Sequence, residues 1–84
     1  MDMVDYTFNA IFSYEDDGIS IDFPDLPGCI SCGFSNDEAL SMAKEALELY
    51  LHGMNEGQIP VARDKSEILI DNTRQKIFTI SVNI

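Results

Sequence analysis

Basic residues, cysteine and tryptophan are scarce in this 84-residue chain, and long hydrophobic runs are missing altogether. Five Lys and Arg against fifteen Asp and Glu leave a formal charge of −10. That balance opposes approach to a phosphate backbone and favours encounter with a basic surface, so direct nucleic-acid binding by this segment is not expected. The two cysteines, Cys29 and Cys32, are too few for a secreted disulfide scaffold and are expected as reduced thiols. No stretch approaches the roughly 20 apolar residues of a membrane span, and Met1-Asp2-Met3-Val4-Asp5 puts no basic region ahead of a hydrophobic run. A cytoplasmic location without a membrane partner is the expectation. No serine or cysteine has a visible base and orienting acid, so nucleophilic catalysis has no foothold, and no motif calls for a cofactor.

What is present suits a folded domain: 45% hydrophobic and 24% charged residues. At this length one thin core is expected over residues 1–84, burying roughly 60–65% of the unfolded chain's surface, and self-association into a dimer or tetramer would help it.

Val4, Tyr6, Phe8, Ala10, Phe12 and Tyr14 alternate with Asp5, Thr7, Asn9, Ile11 and Ser13, the period of a half-buried strand. Glu15-Asp16-Asp17-Gly18 is hairpin chemistry, with glycine supplying a positive φ. Ile19, Ile21 and Phe23 then form the apolar side of a second, antiparallel strand. Phe23-Pro24-Asp25-Leu26-Pro27-Gly28-Cys29 stops the ladder, because neither proline can donate a backbone hydrogen bond. Cys29 to Gly33 is a short third strand. Ser35 and Glu38 have capping-box spacing, in which the serine accepts from an amide one turn in and the glutamate reaches back to the cap. Ala39, Ala43, Ala46, Leu47, Tyr50 and Met54 recur at helical spacing. The helix is expected from about Asn36 to Glu56, with Gly57 as a left-handed stop and Pro60 barring resumption. Ile68-Leu69-Ile70 reads as a short strand and Asp71-Asn72-Thr73 as a turn. Phe78, Ile80, Val82 and Ile84 alternate with Ile77, Thr79, Ser81 and Asn83 in a final strand.

The fold class is therefore α+β, strand-strand-strand-helix-strand: an antiparallel meander with the last strand parallel to the first by a right-handed crossover and one helix on one sheet face. The other face would be mostly polar, with Ile11 and Ile77 exposed on it.

Ala10-Ile11-Phe12, Glu15-Asp16-Asp17-Gly18, Phe23-Pro24-Asp25-Leu26-Pro27-Gly28-Cys29, Glu38-Ala39-Leu40 running into Ala43-Lys44-Glu45-Ala46-Leu47-Glu48, and Gly57-Gln58-Ile59-Pro60 together resemble the N-terminal domain of HicB antitoxins. The resemblance implies a partial ribonuclease H-like fold that needs no catalysis. It also implies a partner, a small basic HicA-like toxin that cleaves messenger RNA. Many members carry a C-terminal DNA-binding domain, and none is expected within these 84 residues.

Each chemically suggestive residue has a plainer reading. The strand spacing of Cys29 and Cys32 sends them to opposite faces, which suits small core thiols better than a redox pair or half a zinc site. Asp5, Asp22 and Asp25 evoke two-metal hydrolysis but lack a positioned base, so surface acids are expected and no metal site is assigned. His52, one turn after Glu48, reads as an exposed ion-pair partner. The expected function is that of an antitoxin which masks its toxin without chemistry. Its contacts are placed on the hairpin (Asp16, Asp17) and the uncovered sheet face (Ile11, Asp22, Ile77, Thr79). The alternative is a stand-alone homo-oligomerisation or interaction module.

Overall fold

The computed structural model describes residues 3–68, 70 and 73–84. Among these residues four strands, β1 (Asp5–Glu15), β2 (Gly18–Asp22), β3 (Ile30–Gly33) and β4 (Gln75–Asn83), form one sheet in the order β3-β2-β1-β4, and one α-helix, α1 (Asn36–His52), lies on one face. The α+β class and the β-hairpin meander follow the alternating pattern.

Alternation in β1 sends Phe8, Ala10 and Phe12 under the helix, where they meet Ile19, Ile21, Phe23, Leu26, Ala39, Ala43, Leu47, Leu51, Ile80 and Val82. The turn into β2 closes on Gly18 at φ 152°, a backbone angle that side chains rarely tolerate. The proline loop is held by its own bonds: Leu26 N donates to Phe23 O (3.0 Å), Cys29 N to Leu26 O (2.9 Å) and Phe23 N to Cys29 O (3.1 Å). Tyr50 Oη donates to Pro27 O (2.8 Å) and ties this loop to the helix.

The start of α1 is capped by Ser35, whose Oγ accepts from Glu38 N (3.2 Å). The Glu38 carboxylate reaches one residue further than expected and accepts from Phe34 N (2.9 Å). Gly33 and Ala39 allow close approach between β3 and the helix, since a Cβ at Gly33 would stand 2.7 Å from Ala39 N. The helix stops at His52, not near Glu56. Gly53 breaks it at φ −82°, and Asn55 starts a separate single turn by exchanging bonds with Gln58: Gln58 N donates to Asn55 O and Asn55 N to Gln58 Oε1. Glycine is a poor helix former, and once the ladder is interrupted the short remainder has too few bonds to propagate. Gly57 sits inside that turn without a positive φ.

The orientation of the last strand differs from expectation. β4 runs antiparallel to β1, pairing Asp5 with Asn83 through Ser13 with Gln75. The helix ends beside the start of β1, where Leu51 and His52 share a concavity with Val4, Tyr6 and Ile84, yet β4 begins beside Ser13, at the far end of β1. The described part of the connection between them, from Gly53 through Ile68 and Ile70 to Arg74, climbs the length of the sheet before β4 descends. A direct crossover would have given the parallel arrangement; this long return reverses the strand. Within it, Ile68 and Ile70 are not in a strand, Leu69, Asp71 and Asn72 lie outside the described residues, and Thr73 is in a turn.

Two side chains hold the return segment. Asp25, whose side chain is only 7% exposed, accepts from both Arg63 N and Arg63 Nε. Asn9, 8% exposed, donates from Nδ2 to Arg63 O (3.0 Å). Asn9 belongs to the sheet face turned from the helix, so the segment passes onto that face there. Lys65 and Ile70 share a shallow concavity with Ile77 and Phe78, and Ile68 is buried outside the helix-side cluster. Ile11 and Ile77 are accordingly half-buried, not open to solvent.

Candidate partner-binding site

The sheet pairing sorts the six expected contact residues into two groups. Asp22 is opposite Ile11, and Ile11 is opposite Ile77, so β2, β1 and β4 place these three in one cross-strand row. Ile30 of β3 extends the row on the other side of Asp22. Thr79 is one row along, where its Oγ1 donates to Asn9 Oδ1 (2.8 Å). Asp16 and Asp17 are apart from these, at the hairpin tip. Asp16 pairs with Arg74 (3.1 Å) across the end of the sheet while remaining solvent-exposed.

Hydrogen bonds between side chains cover much of the face: Thr7 with Ser81 (2.9 Å), Gln75 Nε2 donating to Ser13 Oγ (3.0 Å) and Asn83 Nδ2 donating to Asp5 Oδ1 (2.6 Å). Such pairs satisfy each other and leave few groups free for a ligand. The row through Ile30, Asp22, Ile11 and Ile77 is the apolar interruption in this ladder.

Two exposed side chains add to the surface that sequence reasoning assigned. Phe34 is 84% exposed and Ile30 68% exposed. Phe34 directly precedes the Ser35 cap, a position whose apolar side chain ordinarily folds onto the fourth helical residue. Here that residue is Ala39, already against Gly33, and Phe34 turns outward to line a concavity with Glu15, Asp17, Gly18, Ile19, Glu38 and Met42. An aromatic residue before a cap followed by a small residue four places on is the signal that could have found it. The result is an exposed aromatic ring among carboxylates, the arrangement that receives a guanidinium or ammonium group.

The other candidates follow their plainer readings only in part: Cys32 is exposed where a core thiol was expected, Asp25 is nearly buried where a surface acid was expected, and His52 lacks the expected ion pair. Asp5 and Asp22 share a face, but Asp5 is opposite Asn83 while Asp22 is opposite Ile11. Six residues of β1 separate those positions, about 20 Å, against the roughly 4 Å between metals in a two-metal site. Asp25 is occupied by Arg63. Cys29 is in the core and Cys32 is exposed, both free thiols. Burial first, and the nearby Asp22 carboxylate second, push the Cys29 thiol up to about 11. His52 is exposed in the last turn of α1, but among the described residues the ion pairs are Asp25–Arg63 and Asp16–Arg74, so the expected pairing with Glu48 is not formed.

Fold and surface together define a small α+β interaction domain, with an apolar row and an aromatic ring set among acids. The chain belongs to the HicB-like antitoxins of bacterial toxin–antitoxin systems, whose family model matches residues 8–82, and so it is the antitoxin of a type II pair. It is 34% identical over 61 residues to a UPF0150 protein of Helicobacter pylori strain J99, covering 73% of this chain and 85% of that one. It is 31% identical to a UPF0150 protein of Thermoplasma acidophilum, covering 71% and 88%. A 14.9 kDa protein from the rep–hol intergenic region of Haemophilus phage HP1 is 34% identical over 67 residues, 79% of this chain and half of that protein. The fold is that of a chain in the HicA3 and HicB3 toxin-antitoxin complex (TM-score 0.68, 18% identity, 89% of this chain and 95% of that one). A chain of a toxin–antitoxin complex from Streptococcus pneumoniae gives TM-score 0.70 at 19% identity, covering 93% and 69%. No described helix is long and apolar enough to cross a membrane.

Proposed function

We propose that this antitoxin acts in the cytoplasm by covering the active site of a small, basic, HicA-like messenger-RNA-cleaving toxin, excluding RNA without catalysing a reaction itself. The observation that carries this reading is the exposed Phe34 ring and Ile30 set among Glu15, Asp17, Asp22 and Glu38 in a chain of net charge −10. Long-range attraction speeds encounter with a basic surface, and an apolar centre ringed by charge holds the complex once formed. Asp22, Ile11, Ile77 and Thr79 lie on the adjoining sheet face and Asp16 and Asp17 at its tip, so one partner surface can reach both groups. The sheet with its single helix is read as a partial ribonuclease H-like frame whose carboxylates are too dispersed to share metal ions.

The test is co-expression with the neighbouring short basic reading frame. The expected result is relief of growth arrest and a co-purifying complex. Asp22→Lys and Phe34→Ala should each weaken that complex at least tenfold while leaving the circular dichroism spectrum unchanged. Absence of both rescue and complex with the unmodified chain would end the proposal.

A further inference from the structure

At β3 the sheet leaves backbone groups open beside an apolar flank of the helix. Phe23 N donates to Cys29 O (3.1 Å), and the register from Asp22–Ile30 to Ile19–Gly33 continues from that bond without a bulge. Residues of an antiparallel ladder alternate between facing the partner strand and facing away from it. Ser31 and Gly33 therefore face β2. Ile30 and Cys32 turn their N–H and C=O groups outward, where among the described residues no strand meets them.

Met42, Ala46 and Leu49 recur at four- and three-residue spacing along α1 and line two concavities at this edge. One joins Ala46, Leu49 and Tyr50 to Gly28 and Ile30 and has no charged side chain in its lining. Leu49 there is 68% exposed, as Ile30 is. The other, about 460 Å³, joins Met42 and Phe34 to Glu15, Asp17 and Glu38 and is lined by no basic residue. Two of these carboxylates are held in place, Glu38 by Phe34 N and Glu15 by Ser20 Oγ. None of the three is among the ion pairs of the described residues. Gly33 lies against Ala39, and Cys29 Sγ meets Ala46 O (3.8 Å), so α1 runs back along β3. Four helical residues rise about 6 Å and two strand residues about 6.7 Å, so alternate side chains of an adjoining strand would meet successive turns of the helix.

We infer that an extended segment of a basic partner protein adds to β3 as a fifth strand, its backbone bonded to Ile30 and Cys32. Its helix-side side chains, two residues apart, fill one concavity each: an aliphatic one at Leu49 and an arginine or lysine at Phe34. The main-chain bonds supply affinity, and the two concavities supply selectivity. Charge complementarity selects the occupant, because a cation is what three carboxylates around an aromatic ring attract. The inference rests on the masking proposal for the partner's identity and deepens it by stating what that partner presents.

The test uses the full chain in complex with the co-expressed basic toxin chain. Hydrogen exchange at the Ile30 and Cys32 amides should slow at least about tenfold when the complex forms. Cys32→Pro removes an outward N–H and leaves the pairing with β2 whole, so it should weaken the complex at least about tenfold. Leu49→Lys should weaken it as much by placing a charge in the apolar concavity, whereas Val61→Lys, at a still more exposed apolar residue, should leave affinity unchanged. The exchange measurement and Leu49→Lys decide the matter even if the proline variant fails to fold. A complex in which Ile30 and Cys32 exchange as fast as in the free chain overturns the added strand and leaves masking intact, as does full affinity in Leu49→Lys. Failure to form any complex overturns both. Protection of these amides already in the free chain overturns the inference by assigning the edge to a second copy.

Discussion

The two faces of β1 and β4 are held by different physics. On the helix side the strands meet through burial, with the Phe12 and Phe78 rings 4.5 Å apart and tilted by 47°. On the other side they meet through the pairs Thr7–Ser81, Asn9–Thr79, Ser13–Gln75 and Asp5–Asn83. Burial is strong and non-directional; the side-chain pairs are weak and directional, and a slip of one residue would exchange the two sets. The apolar face thus supplies most of the stability, and the polar face fixes register while leaving only a narrow apolar row. Under the proposed function that division is useful, because a sheet greasy on both faces would associate without selectivity.

Phe12→Ala makes the most severe test. Phe12 is completely buried, and its truncation should cost about 3–5 kcal/mol, enough to leave so small a domain largely unfolded in thermal or urea melts. A loss below about 1 kcal/mol would remove the distinction between the faces. The cysteines probe the same distinction next. Cys29, held near 11 by burial and by Asp22, should react with a thiol reagent at pH 8 at least about 100-fold more slowly than exposed Cys32, because thiolate is the reactive form. The linkage sign is set by the raised folded value: the contribution is full below the unfolded value of 9.0 and is lost as pH rises through about 11. Urea melts between pH 8 and 11 should therefore show falling stability, and a flat profile would place Cys29 in contact with water.

Local signals were legible where a residue's neighbours in sequence decide its environment. The alternation of β1, β2 and β4, the Gly18 turn and the Ser35 cap all belong to this kind, and all appear in the fold. What stayed hidden depends on distant partners. The direction of β4 follows from the path of residues 53–74, which is set by Asp25 and Asn9 reaching the backbone of Arg63 from 38 and 54 positions away. Asp25 looked like a surface acid for the same reason, and Ile11 and Ile77 looked exposed because nothing in their own strands reveals a segment crossing above them. Phe34 was missed because its outward turn is caused by the contact between Gly33 and Ala39.

Asp25→Ala tests whether that crossing segment is a third structural tie between the faces. It leaves the Arg63 amide and guanidinium without their acceptor and should cost about 1–3 kcal/mol. Hydrogen exchange should rise selectively over residues 61–68 while the amides of β1 and α1 stay protected; a uniform rise would mean that the return segment and the core open as one unit.

The smallest effect is expected from the polar ladder itself. Thr7→Val and Ser81→Ala remove one exposed cross-strand pair at the end of the face remote from the hairpin. Each substitution should cost less than about 0.5 kcal/mol, and a double-mutant cycle should give a coupling of about 0.2–1 kcal/mol. Because the pair constrains register without burying apolar surface, the melt should lose little, and the contacts proposed around Asp22 should persist. A coupling as large as the loss at Phe12 would make the polar face a second source of stability, and the division of labour between the faces would have to be abandoned.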